Sequence, residues 1–539
     1  MAVQKDKNKK PGIYKCSGLA LLAILIILAL LFHATWKVIS SLLIILAACT
    51  ILPRPYRKWF WLSVAAVVLV LIIWVFLPDD NEGWRPYTFE EELAALEAKY
   101  AIPDSENAAI IYNRLLKDHD PNEFWPDFLD FDSMRFTRQM PWSYNEYPEL
   151  AKWIDGHKSV IADLIEVGKK EKCYFPRKFN YGDIESPANR LNTMRRWVFL
   201  LSQAANNDLA ERRTDQALEK SLTLLRMGRH LCQQPTLIDM LVGIALESVA
   251  LREFKMFIIA VDAADQQLGA IEQAVAGIKL DWSSIWPEIL EYEKLEVKNK
   301  FGEYYERDMT GRIRLSRDPK ARIRKSVRDA LEKFPNGPKP FFPILWPNPN
   351  YWQSKLIRAK TILYWFYLPS NPKKGAEIID SQYEKYYKMA DADFNWKKEP
   401  GEISPGFILN FAYLIEHLVD SPTVSYYRFH DIYLRCTADN NVSRLIVTLR
   451  RYKNEHGRWP ETLDGIKDLV PEEILVDPIN GGSFVYKLTE DNFTIYSKGK
   501  NNIDEGGERS SDSGADDWLI WPPKIRKTTK EEKANDEQQ

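Results

Sequence analysis

Residues 236–260 read TLIDMLVGIALESVALREFKMFIIA, and this stretch decides how the chain is built. It is long enough to cross a bilayer and apolar on most sides, as a transmembrane helix would be. Charged side chains interrupt it, however, and charges inside a membrane span are costly. They are Asp239, Glu247, Arg252, Glu253 and Lys255. The stretch therefore predicts a helix buried within a helical bundle.

The segments around this stretch also have the spacing of amphipathic helices. The predicted helices cover residues 88–100, 104–117, 194–205, 218–232, 351–367, 374–389 and 405–419. Thr88 and Asp104 are of the residue types that cap helix N-termini. Residues 334–352 are rich in proline and aromatic residues, which predicts a loop or an extended strap. Helices joined by short connections favour antiparallel packing.

Three apolar runs without formally charged side chains occupy the amino terminus, at residues 17–32, 38–52 and 59–77. Each approaches the length of about 20 residues that spans a bilayer. Lysines crowd residues 1–16, and positive charge favours the cytoplasmic side. We therefore expect a cytoplasmic amino terminus and three transmembrane helices within residues 17–77. The chain would be multi-pass in the inner (cytoplasmic) membrane, with the lipid bilayer as a partner and the bulk of the chain extracytoplasmic.

Two alternatives to this topology stay open. The first two apolar runs could form one re-entrant hairpin, which would reverse the predicted side. Residues 46–49 read LAAC and resemble a lipoprotein cleavage site. Another apolar run follows Cys49, however, where lipoproteins continue into a polar tether, so lipidation is the weaker reading.

The overall composition excludes several classes of protein. The 539 residues carry 73 Lys and Arg against 75 Asp and Glu, so the chain lacks the basic surplus of a nucleic-acid binder. An apolar content of 45% excludes a wholly disordered chain. Five cysteines in this length are not a disulfide framework, although Cys173 and Cys232 could pair in an oxidising compartment.

The sequence carries no catalytic motif that we recognise. It lacks the His-Glu-x-x-His, Gly-x-Ser-x-Gly and Gly-x-x-x-x-Gly-Lys patterns. Among the histidines only His417 and His430 are near neighbours, and their separation places them on different faces of a helix. A structural or adaptor role is therefore favoured over an enzyme. An envelope hydrolase acting on glycan or peptide through carboxylates of the helical domain is the first alternative. The second is that the helical region forms a groove that binds peptides.

The last hundred residues follow a different pattern. Apolar positions in residues 442–452 form one helical face, and the helix is expected to end at Gly457. A short second helix is expected at 463–469. Turn residues then precede two strands, at 483–488 and 493–497. The pattern predicts a long helix packed on a small antiparallel sheet.

Residues 449–460 read LRRYKNEHGRWP, residues 493–497 read FTIYS, and an acidic loop follows at 501–517. In their order and spacing these segments resemble the soluble end of the major pseudopilin of type II secretion. Similar modules end many large envelope proteins of planctomycete-like bacteria. The chain departs from a pseudopilin because it has no prepilin peptidase site before a single long helix. Polymerisation into a pseudopilus is therefore not expected.

The resemblance implies a calcium site, because the corresponding loop of the major pseudopilin binds calcium. The candidate ligands are Asn501, Asp504, Asp512, Asp516 and Asp517. The loop at 501–517 has six acidic residues and Arg509 as its single base, and a divalent cation would relieve their repulsion. Composition alone leaves a solvated acidic loop without a metal as the alternative.

The predicted fold class is mainly α. It combines three N-terminal transmembrane helices, an exported all-α helical domain at 84–420, a small α+β pseudopilin-like module at 425–523 and a disordered charged tail at 524–539. The predicted function is that of a membrane-anchored, extracytoplasmic structural or adaptor protein of the bacterial envelope. Its expected partners are envelope or secretion proteins, and its expected ion is calcium.

Overall fold

The computed structural model describes residues 83–176, 187–261, 263–278, 281–302, 304–315, 371–396, 423–490, 492–510 and 513–523. Their helices are α1 (Glu90–Tyr100), α2 (Ala109–Asp118), α3 (Phe131–Gln139), α4 (Pro148–Gly156), α5 (Lys158–Gly168), α6 (Pro187–Ala210), α7 (Thr214–Cys232), α8 (Leu237–Ala260), α9 (Asp265–Ala276), α10 (Trp282–Gly302), α11 (Pro372–Tyr387), α12 (Thr423–His456) and α13 (Glu472–Leu475). Short 3-10 helices cover Pro121–Phe124, Lys388–Ala390 and Leu463–Leu469. The strands are β1 (Arg85–Pro86), β2 (Tyr305–Arg307), β3 (Ile313–Leu315), β4 (Val485–Leu488), β5 (Phe493–Ser497), β6 (Arg509–Ser510), β7 (Ala515–Asp516) and β8 (Trp518–Trp521).

These residues fall into two compact units. The smaller unit holds residues 83–89 and the described residues of 297–381, and the larger unit holds the others. The mainly helical character predicted from the sequence is confirmed in the described residues.

The smaller unit contains a three-stranded antiparallel sheet in which β2 lies between β1 and β3. The Asp308 carboxylate shapes the turn from β2 to β3, because its Oδ1 accepts the N–H groups of Thr310 and Arg312 at 2.9 and 2.8 Å. The prediction that residues 84–420 are all-α is therefore wrong at this sheet. Strands of two or three residues are too short to show a period of two in the sequence.

In the larger unit, α7 and α8 pack at unusually close range. A Cβ atom at Gly228 would lie 2.7 Å from the Cγ of Glu247, and one at Gly243 would lie 2.6 Å from the Sγ of Cys232. The two glycines therefore allow the helix backbones to approach closely. On either side, α6 packs against α7, and α12 packs against α8.

The stretch at 236–260 is confirmed as a buried helix, α8. Thr236 caps it, because its Oγ1 accepts the N–H of Asp239 at 3.3 Å. The Asp239 carboxylate pairs with Arg190 at 2.6 Å, and the ammonium group of Lys255 pairs with Asp439. Charges that would be costly in a membrane are accommodated in this core because oppositely charged neighbours face them.

The carboxy-terminal module starts within α12. This helix ends where Gly457 takes a φ of +75°, the left-handed conformation that the sequence predicted. The strands predicted at 483–488 and 493–497 are confirmed as β4 and β5, and β5 also pairs with β8. The short helix predicted at 463–469 is present as a 3-10 helix.

One hydrophobic core joins this module to the helices of the larger unit. Trp197 of α6, Leu225 of α7, Phe254 of α8 and Leu445 of α12 belong to the same cluster of buried side chains, as does Ile495 of β5. The helical region and the carboxy-terminal module therefore share their stabilising contacts.

The predicted fold class needs correction at its membrane part. It included three transmembrane helices, but no helix of the described residues is both long and apolar enough to cross a membrane. Even α8 carries several buried charges. The segments for which the spans, the strap, two helices and the tail were predicted lie outside the described residues. They are 17–77, 334–352, 351–367, 405–419 and 524–539.

Candidate metal centre

The acidic loop leaves the sheet at the end of β5 and returns as β8, with the β6–β7 ladder between them. Its backbone turns sharply, because Gly499, Asn502, Gly506 and Gly507 take φ values of 62°, 58°, 76° and 82°. These left-handed conformations favour glycine and asparagine. The turns direct backbone N–H groups of the loop toward the carboxylates at 516 and 517.

Asp517 is fully buried in this loop. Its Oδ2 accepts the N–H groups of Glu505 and Gly507 at 3.0 and 2.8 Å. Its Oδ1 is also buried and has no hydrogen-bond partner among the described residues. Burial raises the pKa of the Asp517 carboxyl, because these two donors do not replace all the water that the charged group loses.

Asp516 shows the same division between its two oxygens. Its Oδ2 accepts the N–H groups of Lys500 and Asn501 at 2.8 and 3.4 Å. Its Oδ1 is buried, and nothing in the described part of the chain donates to it. Gly499 makes room for this oxygen, since a Cβ atom at that position would overlap it. Two consecutive aspartates thus each hold one anchored and one unpartnered oxygen.

Glu505 is a further acid of the site, and sequence reasoning left it out of the ligand set. Its Oε1 accepts from Nδ2 of Asn501 at 2.7 Å, and its Oε2 accepts from the N–H of Asp516 at 3.1 Å. Its carboxylate also interacts directly with that of Asp517. Burial raises the pKa of Glu505, but the hydrogen bonds outweigh this effect and the net pKa is lowered. The signal that could have identified it is its place before the turn at Gly506.

One of the predicted ligands does not join this group. The Asp504 carboxylate accepts the hydroxyl of Tyr496 at 2.6 Å and lies 3.6 Å from Nζ of Lys487. The Tyr496 hydroxyl holds the pKa of Asp504 below its usual range. Asp504 therefore fastens the loop to β4 and β5. Asp512 lies outside the described residues.

The loop is also tied to the long helix α12. Nζ of Lys500 forms an ion pair with Oδ1 of Asp431 at 2.5 Å. The guanidinium of Arg435 lies 5.0 Å from the centre of the Trp518 ring at the start of β8. Ordering or disordering of the loop would therefore affect α12 through both contacts.

The donor set of this loop is made of oxygen atoms, which suits calcium. Calcium takes six to eight oxygens from carboxylates, amides, main-chain carbonyls and water. Within the ranges that the structure describes, no group of three or more His, Cys, Asp or Glu side chains is placed to hold a metal ion. A calcium ion would therefore depend on Asp516 and Asp517, supplemented by the amide of Asn501, main-chain carbonyls and water.

The other titratable groups that the sequence singled out are packing residues. His430 stacks on Trp396 with ring centroids 3.6 Å apart, and burial lowers its pKa to about 4. Its sequence neighbour His417 lies outside the described residues. Burial raises the pKa values of Glu247 and Glu253, but both carboxyl groups lie in the core. The described cysteines are free thiols, so no disulfide joins them; they are Cys173, Cys232 and Cys436.

In comparisons with known protein families, curated proteins and solved structures, the chain matches none of them. The likeness of the carboxy-terminal module to the major pseudopilin therefore stays a prediction from the order and spacing of its residues.

Proposed function

We propose that this chain is a structural or adaptor protein of the bacterial envelope, acting outside the cytoplasm, whose carboxy-terminal module is stabilised by calcium. The observation that carries the proposal is the pair of buried oxygens on neighbouring residues, Asp516 Oδ1 and Asp517 Oδ1, which lack partners among the described residues. A buried anionic oxygen without a partner is unfavourable, and a divalent cation bound beside it would compensate its charge.

The charges around the loop support a cation at this place. Asp516, Asp517 and Glu505 bring three carboxylates into one small region. Of the two bases beside them in sequence, Lys500 is engaged with Asp431, and the guanidinium of Arg509 lies over the Trp518 ring at 5.5 Å from its centre. Arg435 of α12 is attracted to Asp516, and Arg509 lies opposite Asp516 in the β6–β7 ladder. An ion would add a positive charge of its own and reduce the repulsion that remains among the three carboxylates.

The contacts of the site support a structural role for the ion. One oxygen of each aspartate already orders the backbone of the loop, so an ion at the other oxygens would lock that arrangement. Ile503, in the same loop, is 60% exposed. Ordering of the loop would therefore also hold an apolar side chain at the surface, where a partner protein of the envelope can bind it.

Thermal unfolding of the full chain with and without calcium tests the proposal. Millimolar calcium should raise the melting temperature by several degrees, because a ligand at a hundredfold excess over its dissociation constant stabilises the folded state by about 2.7 kcal/mol. The double variant Asp516→Asn/Asp517→Asn should lose this rise. Magnesium at the same concentration should give a smaller rise, since it demands a tighter octahedral shell.

The matched control is Asp504→Asn, in the same loop. It should lower the starting melting temperature, because the bond from Tyr496 weakens, yet it should keep the rise with calcium. No rise in the wild-type chain, or an equal rise in the Asp516/Asp517 double variant, would disprove the calcium site. The hydrolase alternative stays a prediction, since no observation in the described residues favours it.

A further inference from the structure

A cleft opens in the larger unit between α3, α6 and α8. Its cavity volume is about 160 Å³. A cavity of about 150 Å³ is large enough to hold a benzene ring. Arg135, Arg138 and Arg252 share its lining with apolar residues such as Met134 and Phe199. None of its lining residues belongs to the acidic loop.

The guanidinium of Arg138 lies beside aromatic rings and has hydrogen-bond donors without acceptors. Its guanidinium lies 3.9 Å from the ring centre of Phe199 and 5.0 Å from that of Trp125. Its Nε and Nη2 atoms are shielded from solvent, and no acceptor for them exists among the described residues. In the planar guanidinium these two atoms carry N–H bonds that point in parallel. They match the two oxygens of one carboxylate.

The acidic groups near the cleft are already engaged with other partners. Glu253 is buried, and its Oε1 accepts from Arg252 at 2.7 Å and from the hydroxyl of Ser202 at 2.8 Å. Arg252 in turn donates to the main-chain oxygen of Arg138 at 2.9 Å. Arg135 and Arg138 form no ion pair with any residue that the structure describes. The cleft therefore carries a positive charge that the described residues do not balance.

The charge of Arg138 persists at neutral pH. Burial lowers its pKa to about 10, so the guanidinium is still protonated. A buried cationic group with two unsatisfied donors is unfavourable by itself. A carboxylate that enters the cleft and displaces the side chains that shield these donors would satisfy both of them and compensate the charge.

We propose that this cleft binds a small organic carboxylate with an apolar body. The carboxylate would pair with Arg138, and the apolar body would lie along Phe199, Met134 and the rim residue Phe131, which is 75% exposed. A carboxylate suits the cleft better than a phosphate, because one guanidinium edge offers two donors. The additional oxygens of a phosphate would face these apolar side chains.

The proposal is tested by isothermal titration of the full chain with 3-phenylpropionate. Its neutral counterpart 3-phenylpropanamide should bind at least about tenfold more weakly, as expected when a charged hydrogen-bonding pair is lost. Acetate and inorganic phosphate, which lack an apolar body, should also bind at least about tenfold more weakly. Binding of octanoate at a comparable affinity would support the same proposal and assign an alkyl body.

Three variants test whether 3-phenylpropionate binds in this cleft. Arg138→Gln should weaken binding of 3-phenylpropionate by about tenfold or more, and Arg138→Lys should weaken it severalfold, because a lysine keeps the charge but not the parallel donors. Phe131→Ser, at the exposed rim, should weaken binding without a risk to folding. Arg114→Gln is the control, since Arg114 forms an exposed ion pair with Asp163 on another surface.

Two results would overturn the proposal. One is equal affinity for the acid and the amide in the wild-type chain. The other is unchanged affinity in both Arg138→Gln and Phe131→Ser. If Arg138→Gln lowers the melting temperature strongly, Arg138→Lys and Phe131→Ser decide the outcome instead.

Discussion

The Sγ atom of Cys436 in α12 lies 3.9 Å from Oε2 of Glu247 in α8. Glu247 is 1% exposed, and Arg229 and Cys232 of α7 also face it. Burial raises the pKa of Glu247 from its ordinary value of 4.5 to about 7, and the attraction of Arg229 and the bonds to the thiols offset this only in part. The core therefore contains a carboxyl group that releases its proton near neutral pH.

This carboxyl group should make stability depend on pH. Between pH 4.5 and about 7 the folded chain keeps Glu247 protonated while the unfolded chain releases the proton. The free energy of unfolding therefore falls as the pH rises through this window, by about 3 kcal/mol from this group. Urea unfolding at several pH values should show that Glu247→Gln removes this fall. The change Glu473→Gln, at an exposed position of α13, is the control, and equal pH profiles for wild type and Glu247→Gln would disprove the prediction.

The close approach of α7 and α8 should make their glycines intolerant of even one added methyl group. In Gly228→Ala the new Cβ would meet the Glu247 side chain at 2.7 Å and the Glu247 backbone nitrogen at 2.9 Å. In Gly243→Ala it would meet the Sγ of Cys232 at 2.6 Å. Each variant should lower the free energy of unfolding by about 1–3 kcal/mol, measured from urea midpoints.

The control for these variants is Gly156→Ala at the end of α4. Nothing lies within 4 Å of a Cβ atom there, so alanine should be neutral or stabilise the chain by up to about 1 kcal/mol. Equal urea midpoints for Gly228→Ala and Gly156→Ala would contradict the close contact between α7 and α8.

The buried ion pair of Arg190 and Asp239 should be far more important than an exposed pair. Asp239 is 1% exposed and accepts from Arg190 at 2.6 Å. Arg190→Met would leave its carboxylate buried without that cation and should cost about 3–5 kcal/mol of unfolding free energy. Breaking the exposed pair with Asp163 through Arg114→Gln should cost less than about 1 kcal/mol. Similar losses in the two variants, measured by urea unfolding, would contradict the burial argument.

Gly499 should be the least replaceable glycine of the acidic loop. Gly499→Ala combines a positive φ with a Cβ atom that overlaps the Oδ1 of Asp516, whereas Gly506→Ala has a positive φ and open space around it. We expect Gly506→Ala to cost about 1 kcal/mol and Gly499→Ala to cost clearly more. Differential scanning calorimetry checks both, and equal losses would show that Asp516 does not lie against Gly499.

Much of the larger unit was predictable because its signals are local. The charges within residues 236–260 indicated that α8 is a core helix, and Gly457 marked the end of α12. The short sheet β1–β3 was not predictable, because its strands have no measurable period. The three transmembrane helices were predicted from the length and composition of apolar runs, which do not by themselves show how a segment packs.

The residues of the candidate calcium site were likewise only partly predictable from the sequence. Composition and resemblance pointed to the acidic loop, but they ranked Asp504 as a ligand and omitted Glu505. The choice depends on where each carboxylate points, and Tyr496 of β5 turns Asp504 away while the N–H of Asp516 holds Glu505 in place. Arg138 carried no sequence signal, since its partners Trp125 and Phe199 approach it only in the folded chain.

The amino-acid sequence alone indicated several of the helices, where α12 ends and which loop concentrates negative charge. These properties depend on residues a few positions apart, whose spacing and backbone preferences act within one turn of chain. The tertiary structure alone decided which buried charges are compensated, which aspartate oxygens stay without a partner and where three arginines meet in a cleft. Those properties depend on contacts between residues far apart in the chain, and burial then sets how strongly their charges interact.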